Sequence, residues 1–122
     1  MVIRYASALL TFAGILALIM GLFFWTGAGL NLLSMHMLLG FLAVGALWVI
    51  AVGQLSSTAA SWIIAAGALI VGALTVAIGL TQSSLMVGDG HWIVQLGHFV
   101  LGVLTIGMGH MGAARFRKGI SE

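Results

Sequence analysis

Two segments of this chain present an imidazole in the same setting. "HMLLGFLAVG" starts at His36 and "HFVLGVLTIG" starts at His98, and each reads His, two residues, Leu, Gly, four residues, Gly. On a helix the fourth residue after a histidine lies on the same face about one turn deeper. Gly40 and Gly102 therefore leave space beside each imidazole. Imidazole nitrogens are metal ligands, and a hollow walled by glycine admits a flat, wide group against the backbone. A porphyrin suits this arrangement better than a bare ion, with His36 and His98 as axial ligands of one haem b. His91 precedes His98 by seven residues on the same face, and Gln95 lies between them. Either one is expected to meet a propionate or to supply an outer hydrogen bond.

Copper offers a different chemistry for some of the same residues. "MHM" at Met35 to Met37 and "MGHM" at Met108 to Met111 cluster thioethers with imidazole, a set that suits Cu(I), and Met86 with His91 could join the outer cluster. Neighbours on either side of a helical histidine point about 100° away from it, which argues against a compact site using both Met35 and Met37. His110 stands twelve residues after His98, about 18 Å deeper, and a second haem would need it together with a ligand from elsewhere. The simpler expectation for His110 is a place at the membrane interface beside Arg115.

These residues must be positioned by membrane helices. The chain has 122 residues, of which 62% are hydrophobic and 5% charged, and its mean hydropathy is +1.26. Such a chain cannot give water the polar surface of a soluble domain. Four apolar stretches, at about residues 6–25, 32–52, 60–80 and 92–114, each reach the ~20 residues that cross the hydrocarbon layer. The connections "TGAGLN", "GQLSSTA" and "TQSSLMVGDGH" are short, so consecutive spans are antiparallel. The expected fold is an all-α, integral membrane, up-down-up-down four-helix bundle, a single domain over residues 1–122 with its first span retained.

The bundle reads as two repeated helical hairpins. Besides the histidine segments, "IMGLFF" around Gly21 parallels "AIGLTQ" around Gly79, with four extra residues in the second outer loop. Spans two and four then run parallel and can occupy diagonal corners, where His36, five residues past the possible N-cap Asn31, and His98, nine past Asp89, share one depth. Arg4 precedes the first span, and Arg115, Arg117 and Lys118 follow the last. The positive-inside rule puts both termini in the cytoplasm, with the protein in an inner or cytoplasmic membrane and the histidines near the extracytoplasmic side. Trp25 and Trp92 mark the outer interface in this frame, and Trp48 and Trp62 the inner one. Three cations beside a span are a topology anchor, and nucleic acid is not an expected partner.

Repeated His-x-x-x-Gly helices in a membrane four-helix bundle resemble the haem-binding cores of the cytochrome b561 group and of the haem A synthase halves. The resemblance implies axial histidines on bundle helices and the handling of electrons or of haem. Many b561 proteins carry two histidine pairs, whereas one pair is evident here, so a single haem is expected. The haem A synthase glutamates have no counterpart, since Asp89 and Glu122 are the only acidic residues. Cysteine is absent, which excludes covalent haem attachment, thiolate metal sites and iron–sulfur clusters.

The expected function is one-electron transfer by a b-type haem protein working with quinone or a redox protein, either as a homo-oligomer or in a larger membrane complex. No Ser/His/Asp set, carboxylate pair or phosphate loop supports hydrolase or transferase chemistry. Two other functions fit parts of the sequence: Cu(I) handling, and a non-catalytic subunit that packs against larger membrane partners. The latter draws on small residues every fourth position, Ala13, Ala17 and Gly21, Ala68 and Gly72, Gly109 and Ala113, which serve either the bundle or an external partner.

Overall fold

A computed structural model describes residues 1–121. Four long helices make up most of them: α1 (Val2–Trp25), α2 (Leu33–Gly53), α3 (Trp62–Thr81) and α4 (His91–Gly119). No strand occurs among the described residues. Each helix is long and apolar enough to cross a membrane. Large side chains such as Phe12, Ile63, Ile70 and Val103 are exposed around the outside, as a lipid-facing surface requires. The expected four-helix bundle is the observed one.

Neighbouring helices pack α1 on α2, α2 on α3, α3 on α4, and α4 back on α1. The diagonals differ. Helices α2 and α4 touch each other, whereas α1 and α3 make almost no contact. The reason lies in the side chains at the axis. The core is built largely from alanine and glycine, including Ala13, Ala43, Ala46, Ala68 and Ala113, around Leu10, Leu47 and Ile50. In lipid, apolar burial does not drive helix association, so small residues that allow close backbone approach decide which helices meet. Ala13, Ala68, Gly72, Gly109 and Ala113 are all buried inside the bundle. The small-residue faces are thus used within the chain.

One pair of contacts between the hairpins follows the sequence repeat. His98 follows His36 by 62 residues, and Gly79 follows Gly21 by 58. Those offsets also relate two contacts between hairpins: a Cβ added to Gly14 would lie 2.8 Å from Ile106 Cγ1, and one added to Gly72 would lie 3.0 Å from Val44 Cγ1. This pairing places His36 and His98 each against a glycine of the other helix of its own hairpin.

Helix ends depart from the expectation in detail. Asn31 is no cap; it lies inside a 3₁₀ turn, Leu30–Leu32, that leads into α2 and brings His36 to the depth of His98. Gly27 and Gly29, at φ +80° and +73°, make the left-handed turn between α1 and that segment. Ser61 caps α3 by accepting from the Ile64 amide. Trp48, expected at the inner interface, instead lays its indole on Gly72 near the middle of α3. Helical side chains lean toward the N-terminus of their helix, which brings the Nε1 edge of this ring against α3 while the residue stays partly exposed.

At the end of the bundle that carries both termini, the fully buried Gln54 side chain bridges two elements. Its Nε2 donates to the Ser61 carbonyl at 2.8 Å, and its Oε1 accepts from the Ser61 amide at 3.0 Å. Thr58 Oγ1 donates to the Gly119 carbonyl at 2.8 Å, which ties the end of α4 to the α2–α3 connection.

Candidate functional site

The closed diagonal brings the two imidazoles together. Ring centroids of His36 and His98 are 6.2 Å apart with planes at 65°. Two imidazoles on one metal need a similar span, because each metal–nitrogen bond is about 2 Å and each ring adds roughly 1 Å to its centre. The pair borders a cavity of about 290 Å³ in the half of the bundle near the α1–α2 and α3–α4 connections. That volume is just below the ~300 Å³ at which ligand pockets begin.

Glycine makes much of the wall. Gly14, Gly21, Gly40, Gly79 and Gly102 all border the cavity. Gly40 opens onto free space, since an added Cβ would meet nothing within 4 Å. The hollow at Gly102 is taken up by Leu18, whose Cδ2 would lie 2.9 Å from an added Cβ. The glycines in contact with the rings belong to the other helix of each hairpin. An added Cβ at Gly21 would lie 3.6 Å from His36 Cε1, and one at Gly79 would lie 2.8 Å from His98 Cε1. Both had been visible in the sequence only as marks of the repeat.

The same glycine explains the hydrogen bond that His36 makes. In a helix a side chain covers the carbonyl of the preceding turn, so Gly21 leaves the Ala17 carbonyl accessible. His36 Nδ1 lies 3.0 Å from that oxygen, and since a carbonyl only accepts, Nδ1 carries the proton. Nε2 is then the unprotonated nitrogen, the tautomer of a metal-ligating histidine whose second nitrogen is held by a backbone carbonyl. Phe24 packs edge-on against His36 with centroids 5.3 Å apart. His98 lacks this support: its Nδ1 is buried without a hydrogen-bond partner among the described residues.

His91 and Gln95 border the same cavity, together with Gln82 and Ser83. His91 Nδ1 donates to the Leu85 carbonyl at 3.1 Å, which leaves its Nε2 as an acceptor. The opposite, deeper part of the wall includes Thr75 and Thr105. Their hydroxyls are 3.1 Å apart, and Thr75 Oγ1 also donates to the Val71 carbonyl at 2.8 Å, so Thr105 is the donor between them. Sequence reasoning did not single out this pair. Its signal was present: Thr75 lies four residues before Gly79, and Thr105 lies seven after His98 on the same helix face.

Other imidazole and thioether positions lie apart. His110 is exposed, outside the cavity, with Nε2 3.2 Å from Thr11 Oγ1. Because the Thr11 hydroxyl already donates to the Ser7 carbonyl at 2.8 Å, His110 Nε2 is the donor and is not free to ligate. Met37 borders the cavity, whereas Met35 and Met111 do not. No group of three or more His, Cys, Asp or Glu side chains able to hold a metal occurs among the described residues.

No family model matches the chain, and neither the curated proteins nor the solved structures contain one significantly similar to it. The fold and site define an integral membrane four-helix bundle with one half-buried histidine pair.

Proposed function

We propose that this chain is a membrane b-type cytochrome that holds one haem b between His36 and His98 and transfers single electrons. The observation that carries this reading is the 6.2 Å separation of two imidazoles across the closed diagonal, beside a glycine-walled cavity. Two protein nitrogens do not fill the coordination shell of a bare zinc or copper(II) ion, which draws on three or four. A porphyrin supplies four nitrogens itself and asks the protein for two.

Bound haem would supply the one-electron couple. The chain's own residues do the rest. The Ala17 carbonyl fixes the His36 tautomer. Phe24 limits the rotation of that ring. Gly40 keeps the wall beside His36 flat, whereas Leu18 fills the corresponding hollow at Gly102. His91 and Gln95, at the polar rim, are the residues suited to hold propionates. The electron partner is a quinone or a redox protein. Both termini would lie in the cytoplasm by the positive-inside rule, with the haem toward the other face.

Copper handling draws support from one contact, Met37 at the cavity wall. Detergent-purified protein separates the readings. The haem reading expects a reduced-minus-oxidised α-band and Soret signal that is lost in His36→Ala and in His98→Ala. Colourless protein with stoichiometric copper would replace it with the copper reading, and colourless, metal-free protein with the packing subunit.

A further inference from the structure

The end of the bundle opposite the haem cavity has its own recess, on the outer side of α1. This groove, about 680 Å³, runs from Arg4 and Arg117 past Ser7 and Thr11 to Phe12 and Ile19. Chemistry changes along it in a definite order: two guanidinium groups, then two hydroxyls, then apolar side chains. Both arginines are exposed. Asp89, the only acidic residue among those described, lies just before α4 at the far end of the bundle, so no carboxylate among the described residues neutralises them. The Thr11 hydroxyl is anchored between the Ser7 carbonyl and His110 Nε2, which keeps this middle section polar.

The dimensions match one leaflet. From Ser7 to Ile19 the helix rises about 18 Å, and half of a ~30 Å hydrocarbon core is about 15 Å. With the arginines at headgroup level, Ile19 reaches the neighbourhood of the bilayer midplane. We propose that this groove is a binding site for one anionic phospholipid, with its phosphate between Arg4 and Arg117, its glycerol region beside Ser7 and Thr11, and an acyl chain along Phe12 to Ile19. Guanidinium groups pair with phosphate oxygens through directed N–H donors, and basic pockets between membrane helices select anionic headgroups. The apolar lane points to a lipid, because a soluble phosphate would leave it unused.

Titration of the delipidated full chain in mild detergent, read by native mass spectrometry, tests this. Phosphatidylglycerol should bind on the order of tenfold more tightly than phosphatidylcholine of the same chains. Glycerol phosphate should not bind at concentrations that saturate the lipid. Arg4→Gln with Arg117→Gln should reduce phosphatidylglycerol binding to the phosphatidylcholine level, while Arg115→Gln with Lys118→Gln, which removes equal charge outside the groove, should leave it unchanged. Phe12→Ala should weaken lipid binding with both arginines in place. Equal affinity for the two lipids overturns the proposal, as does equal loss in the two charge pairs. Tight glycerol phosphate binding would reduce it to a phosphate site. Should the arginine pair fail to fold, the two-lipid comparison on the unmodified chain still decides. Haem absorbance is not part of this readout, so the outcome is independent of the cytochrome reading.

Discussion

Gly21 and Gly79 occupy equivalent places in the two hairpins yet leave different room. A methyl at Gly21 would make ordinary contact with His36, 3.6 Å from Cε1, whereas one at Gly79 would press on His98 at 2.8 Å. Gly21→Ala, whose methyl only crowds the Ala17 carbonyl used by His36, should therefore lower haem retention slightly, and Gly79→Ala should lower haem per protein several-fold by turning the His98 ring. Gly40→Ala meets open space and should fold normally, while its methyl takes volume from the cavity and weakens haem retention. Absorbance per mole of protein, with helix content from circular dichroism as the folding control, measures all three. Equal retention in Gly21→Ala and Gly79→Ala would show that His98 does not depend on its glycine.

Among the elements, the helices hold together through close approach and a few buried polar bridges. Gln54→Ala would leave the Ser61 amide and carbonyl without their partner where α2 meets α3. An unsatisfied buried group costs about 1–3 kcal/mol, so the variant should melt several degrees lower in a detergent thermal scan. Its haem spectrum should remain, since Gln54 lies at the other end of the bundle from the cavity. Four spans, short connections and the repeated histidine segments were legible in the sequence, because apolar length and a doubled motif are local signals. Which diagonal closes was not, since that depends on how alanine and glycine on all four helices interlock. Asn31 and Trp48 show the same limit: cap and interface preferences describe single residues, and here a 3₁₀ turn and the hollow at Gly72 override them. The histidine pair was legible as two equal depths, while the carbonyl partner of His36 needed the coordinates.

For the whole molecule, the proposed haem site rests on the one half-buried histidine pair, and His110 lies outside it with its Nε2 committed to Thr11. His110→Ala should leave haem content unchanged; a loss of half the haem would reveal a second site. The cavity wall carries no carboxylate among the described residues, so little negative charge would offset a ferric iron held by two neutral imidazoles. Gln95→Glu, which adds an anion at the rim, should lower the midpoint potential by on the order of tens of millivolts, measured by redox titration of the α band. The most direct test of the pairing of His36 with His98 on one iron is electron paramagnetic resonance of the oxidised protein. A low-spin ferric signal in the unmodified chain, converting to high spin or vanishing in both His36→Ala and His98→Ala, is the expected result. A high-spin signal in the unmodified chain, or a low-spin signal that survives either substitution, would contradict it.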